Sequence, residues 1–124
     1  MVTLALAVGA DDNVTVCRAP YAGIVSAVTY CPKAAITGAD TNSRTLSVIN
    51  KGLTGVGATS VASKAFTNGV NAPAFDETAI TLSGTPANLV VAEGDILVFN
   101  SLHILTGIAD PGGTVFVDIA RSYA

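Results

Sequence analysis

Short runs in which apolar residues alternate with small or polar ones recur along almost the whole chain, and each is closed by Gly, Pro, Asn or Asp. A strand turns successive side chains to opposite faces, so a period of two describes a half-buried strand, whereas an amphipathic helix needs a period near 3.6. Only the first period is sustained here. Candidate strands cover residues 3–8, 13–18 and 24–30, the last ended by Pro32. Residues 44–50 follow with Leu46 and Val48 on one face, then 58–66, the alternation Thr78, Ile80, Leu82, and a brief run at 89–92. The stretch 95–102 is expected to turn Ile96, Val98 and Leu102 inward, and the last strand to carry Val115, Val117 and Ile119 on one face. The connections have turn chemistry: Gly9-Ala10-Asp11-Asp12, the loop 37–43, the glycine-rich 51–57, Thr67-Asn68-Gly69, Glu93-Gly94 and Asp110-Pro111-Gly112-Gly113. Alanines at 58–66 and 72–79 favour helix, but Gly69, Pro73 and the β-branched neighbours restrict them to a turn at most.

Eight or nine short strands with a turn about every ten residues describe a sandwich or barrel, not a βαβ fold. The expected architecture is all-β, with about eight strands. Residues 1–21 form an N-terminal arm or leading strands, and residues 22–124 the main β domain. Exposed alone, Leu4, Leu6 and Val8 would make an apolar edge, which proteins normally cover or pair. These three are the candidate contact residues toward a neighbouring subunit or the surface of a larger assembly.

A chain of 124 residues is one domain, long enough to bury roughly two-thirds of its unfolded surface without staples. Half of it is apolar and only 12% is charged, about half the usual share, so some apolar surface is expected to meet another chain. The net charge of −3 and the scatter of Lys33, Lys51, Lys64, Arg18, Arg44 and Arg121 make no basic patch, so no nucleic-acid partner is expected. No apolar run approaches the length of a membrane span, and the start lacks the basic region of a signal peptide. Membrane attachment is therefore not expected either. Cys17 and Cys31 fit poorly across one hairpin ladder, so two separate buried thiols are favoured over a bridge.

Chemistry finds little support. The loop Gly52-Leu53-Thr54-Gly55-Val56-Gly57 lacks the Lys and hydroxyl of a phosphate-binding loop. His103 is the sole imidazole and has neither an orienting acid nor a nucleophile nearby in sequence; a half-buried or interfacial role is expected. Asp11-Asp12 and Asp76-Glu77 are adjacent pairs, and neighbours on a strand face opposite ways, so they read as solvated turn acids. The aromatics Tyr21, Tyr30, Phe66, Phe75, Phe99, Phe116 and Tyr123 are dispersed and read mostly as core. No catalytic residue, cofactor site or metal site is expected, and the chain is not expected to be an enzyme.

Several segments in order carry a resemblance. They are Ala22-Gly23-Ile24-Val25-Ser26-Ala27-Val28-Thr29-Tyr30, Ala35-Ile36-Thr37-Gly38-Ala39-Asp40-Thr41-Asn42-Ser43-Arg44-Thr45-Leu46, Val91-Ala92-Glu93-Gly94-Asp95, and Gly107-Ile108-Ala109-Asp110-Pro111-Gly112-Gly113-Thr114-Val115. Together, over residues 22–120, they resemble the small capsid decoration, or head-stabilisation, proteins of tailed bacteriophages. The resemblance implies that the fold is a jelly-roll-like antiparallel β-sandwich of about eight strands, with residues 22–124 as the sandwich domain, and that the chain is a structural virion protein, made in the host cytoplasm and placed on the outer surface of the capsid. Its implied partners are the major capsid protein and further copies of itself, as a homotrimer. The alternative reading is a carbohydrate- or receptor-binding β-sandwich on a virion or cell surface, which would need a concave polar and aromatic patch.

Overall fold

The structure is a computed structural model and describes residues 2–3 and 5–121. Among the described residues there are nine strands: β1 Val2–Thr3, β2 Asp12–Arg18, β3 Gly23–Pro32, β4 Ser43–Asn50, β5 Thr59–Ala65, β6 Thr78–Ala79, β7 Val90–Val91, β8 Ile96–Ile104 and β9 Gly113–Arg121. The only helix among the described residues is one 3-10 turn, Pro86–Leu89, which starts at a proline whose missing N–H costs nothing there.

All pairings are antiparallel. One sheet runs β1-β9-β3-β6, with β7 also on β3, and the other runs β2-β8-β4-β5. Most successive strands change sheet, so the chain winds around the core in the jelly-roll manner, and the expected fold class is the one found. Residues 78–83 close one side: Ile80 N–H donates to Val28 O on the first sheet, while Ser63 N–H donates to Thr81 O on the edge of the second. β2 is an edge strand of the second sheet, and it carries a bulge between Thr15 and Cys17 and a charged residue at each end, features that discourage stray pairing.

The core lies between the sheets. Val25, Val28, Tyr30, Val91 and Val115 face Leu46, Val48, Val61, Leu97 and Phe99, and Tyr30 and Phe99 meet with ring centroids 5.3 Å apart. Each large side chain buried this way stabilises the fold by roughly 1.5–3 kcal/mol. Leu46 and Val48 share the inward face as expected, as do Val115 and the partly buried Val117 and Ile119.

The phase of β8 is the reverse of the expectation. Leu97, Phe99 and Ser101 face the core, Ile96 is only partly buried, and Leu102 is exposed. Val98 is buried on the outer face, opposite Thr15 and Ile49 in the centre of its sheet. The run Ile96-Leu97-Val98-Phe99 is apolar at every position, so its sequence carries no phase; the register against β4 sets it.

The described leading residues are paired within the chain. β1 pairs with β9, Leu6 exchanges backbone hydrogen bonds with Asp110, and β2 pairs with β8 from Asp12 to Arg18. Cys17 and Cys31 are free and partly buried, and burial pushes the Cys17 thiol pKa up.

Candidate functional site

The deepest polar feature is a chain of buried hydrogen bonds at the end of the sandwich where β3 stops and β9 begins. Arg44 is the largest fully buried side chain. It is the second residue of β4, two before Leu46, so strand periodicity turns it inward. Its Nε donates to Ile108 O at 2.7 Å, one terminal nitrogen to Ser101 Oγ at 3.0 Å and the other to Ala7 O at 3.2 Å. Ser101 Oγ donates to Asp110 Oδ2 at 2.8 Å, and Tyr30 OH donates to Asp110 Oδ1 at 2.7 Å. The same Oδ1 accepts the Gly112 N–H, while Thr3 Oγ1 accepts the Gly113 N–H and lies 3.4 Å from Tyr30 OH. Burial is the main force raising the Tyr30 pKa far above the ordinary tyrosine value, with the neighbouring Asp110 carboxylate adding to it.

This network has the ingredients of an acid–base site but not its access. Its polar atoms are matched to one another, and no cavity opens beside them among the described residues. What it does is fasten the leading segment: Thr3, Leu6 and Ala7 are all bonded to it or to the Asp110 backbone.

Beside it on the surface, Asp11 Oδ1 accepts the His103 backbone N–H at 2.7 Å and lies 2.6 Å from His103 Nδ1. The backbone donor is the largest cause holding the Asp11 pKa below the ordinary value, followed by the ring. The orienting acid that sequence could not name for His103 is thus Asp11, contributed from the turn before β2. Both side chains are about one-third exposed, His103 at 32% and Asp11 at 37%, and the pair clips that turn to the end of β8. No group of three or more His, Cys, Asp and Glu side chains converges on one point among the described residues.

Large apolar side chains left in solvent form the other notable surface feature; apart from Leu102, alone on the outer face of the second sheet opposite Thr45, they fall in three places. On the outer face of the first sheet, Ile24 and Val90 sit opposite one another in register, and Phe116 lies opposite Thr29. Their neighbours on that face are Ser26, Ala79, Thr114 and Ala120, and Asp118 is the charge among them. At the end of the sandwich that holds the network, Val8, Phe75, Ile104 and Leu105 are exposed. At the opposite end, Leu53 and Val56 project from the glycine-rich loop 51–57.

The three contact residues expected from sequence divide differently. Leu4 lies outside the described residues, Leu6 is partly buried in its bridge to Asp110, and Val8 is exposed. Alternation alone could not separate them, because it does not show where β1 ends. Of the aromatics, Tyr30, Phe66 and Phe99 are core as expected; Phe75 and Phe116 are exposed instead, and Tyr123 lies outside the described residues. Phe116 is turned out by the same alternation that turns Val115 and Val117 in, a signal available in the sequence. Leu105 and Phe75 belong to turns, and nothing in their local pattern marks them.

Comparison with protein-family models, with curated proteins and with solved structures returned no match.

Proposed function

We propose that this chain is a structural virion protein that decorates the outside of a tailed-phage capsid, bridging neighbouring copies of the major capsid protein, as a homotrimer. The observation that carries the reading is the outer face of the first sheet, where Ile24, Val90 and Phe116 stand in solvent among small residues and one carboxylate. A two-layer sandwich needs only its inner faces to fold, so apolar side chains on an outer face are surplus to the core. A weakly charged surface of this kind, with no pocket among the described residues, fits a broad, shallow protein contact better than a small ligand, which needs concavity. The ordered series of segments over residues 22–120 that resemble decoration proteins supplies the kind of partner.

A shell packed with nucleic acid is strained outward, and a clamp laid across subunit boundaries adds buried area that must be broken before the shell opens. Several weak contacts on one symmetric oligomer act together, which compensates for shallow individual sites.

The test uses purified protein added to source particles that lack it, followed by heating. Wild type is expected to bind at stoichiometric copy number and to raise the temperature at which the shell releases its genome. The variants Ile24→Asp and Phe116→Asp should fold but not bind. Failure of the wild type to bind those particles, or equal binding by both variants, would sink the reading.

A further inference from the structure

We infer that the two ends of the sandwich are complementary and that the partner of each is the opposite end of a second copy of this chain. The inference rests on the reading of this protein as one that assembles, and its test needs no capsid.

Among the described residues, two non-glycines have a backbone in the left-handed region, Phe75 at φ 58° and Leu105 at φ 57°. Bulky side chains are disfavoured there, and glycine or asparagine is the ordinary occupant. Both residues are nonetheless large and apolar, and both give their side chains to solvent, at 77% and 67% exposure. The surrounding structure holds them so. Phe75 N–H donates to Pro32 O at 2.8 Å, and the Leu105 turn is closed by Gly107 N–H on Ile104 O and by Thr106 N–H on Asn42 Oδ1. Neither side chain contributes to the buried core, so folding does not explain why the less comfortable residue is kept. Strain held by its surroundings points to function, and what these positions present is an apolar side chain.

The two positions belong to the same end. Pro32, which receives the Phe75 N–H, pairs with Gly113 at the start of β9, and Leu105 follows the end of β8. Val8 and Ile104 are exposed there too. The carboxylates gathered at this end are Asp11, Asp12, Asp40, Asp76 and Glu77, set against Lys33 in the loops and Lys64 near the end of β5.

The opposite end has the reverse character. Leu53 and Val56 are 70% and 84% exposed. The same end of the sandwich carries Arg18, Lys51 and Arg121, the last over the Tyr21 ring at 5.1 Å. Arg18 and Leu53 converge above Gly94: a methyl group added to that glycine would lie 3.5 Å from the Arg18 guanidinium and 3.0 Å from Leu53. Glu93 is the exposed acid nearby, and the Asp95 carboxylate is turned inward onto Asn50 and the Ala92 N–H. One end is therefore apolar with an acidic rim, the other apolar with a basic rim.

Complementary charge and matching apolar tips make the contact between unlike ends favourable, and the contact between like ends repulsive. A contact of unlike surfaces is heterologous, and it closes into a ring when the rotation between copies permits, as in a three-fold oligomer.

Two variants test this, each at exposed positions where folding should be spared. The acidic-end variant is Phe75→Gly with Leu105→Gly, which also relieves the backbone. The basic-end variant is Leu53→Ser with Val56→Ser. Thermal melting should show both folded. By light scattering, wild type should be oligomeric, and each variant alone should associate at least tenfold more weakly. An equimolar mixture of the two should yield a discrete dimer of one copy of each, because one intact acidic end and one intact basic end remain. A wild type that is monomeric at its highest soluble concentration, variants that assemble like wild type, or a mixture that stays monomeric would each overturn the inference. If the mixed dimer forms and capsid binding fails, the end-to-end contact stands and the decoration reading falls.

Discussion

Arg44 and Asp110 are joined through one hydroxyl: Ser101 Oγ accepts from the Arg44 guanidinium at 3.0 Å and donates to the Asp110 carboxylate at 2.8 Å. Arg44 and Ser101 come from the sheet of β2, β4, β5 and β8, whereas Asp110 precedes β9 of the other sheet. The bridge thus ties the two layers together at one end, with Ala7 and Tyr30 bonded into it. A buried ion system of this kind contributes little over an apolar replacement of the same shape, but removing one partner strands the other.

Arg44→Met is therefore expected to cost about 3–5 kcal/mol in denaturant unfolding, with the Asp110 carboxylate left in the interior without its cation. Combining it with Asp110→Leu should cost less than the sum of the two single changes, with a coupling of about 0.5–3 kcal/mol. Strict additivity would show that the bridge through Ser101 does not couple them.

Tyr30 donates to Asp110 from a fully buried position, and burial raises its pKa above the ordinary value. The folded state holds the phenol neutral, so this contribution to stability is complete below the ordinary tyrosine pKa of about 10. It is lost as pH rises from there toward the raised folded value, because the unfolded chain gives up the proton first. Ultraviolet titration of wild type against Tyr30→Phe should show the Tyr30 phenolate appearing only as the protein unfolds. A Tyr30 phenolate in the folded protein near pH 10 would contradict this geometry.

For Asp11 the sign is opposite. Its pKa is lowered, first by the His103 backbone N–H and then by the ring. The stabilisation is present above the ordinary carboxylate pKa of about 3.9 and disappears as pH falls through the lowered folded value. Asp11→Asn should remove this acid-side dependence, so wild type and variant should converge in stability at low pH. Hydrogen exchange at the His103 amide should be faster in Asp11→Ala at neutral pH. Unchanged exchange would show that the carboxylate does not hold that N–H.

The leading segment is seated by side-chain and backbone bonds more than by strand length, since β1 has only two residues. Thr3→Val keeps the shape but leaves the buried Gly113 N–H without its hydroxyl acceptor, a loss of about 1–3 kcal/mol. Denaturant midpoints measured at constant m-value would check it. A variant as stable as wild type would mean that β1 is not held at this seat in solution.

The sequence by itself determined that the chain is an all-β fold of short strands, a sandwich or a barrel. Alternation with a period of two and turn residues about every ten positions are local properties, and they placed β2, β3, β4, β5 and β9 close to where they lie. It also contained more than was read from it. Arg44, Leu46 and Val48 share one phase, so a strand that buries the last two buries the arginine as well. Tertiary structure decided the rest. The all-apolar run 96–99 has no phase of its own, and only pairing with β4 turned Leu97 and Phe99 inward. Asp11 and His103 are 92 positions apart, and Ser101 and Asp110 acquire a common partner in Arg44 only because β8 pairs with β4. The polarity of the two ends is likewise a sum over loops distant in sequence. Periodicity reports which face a residue takes within its own strand; which strands become neighbours is set by the packing of the two sheets, and that is where the buried network and the exposed tips arise.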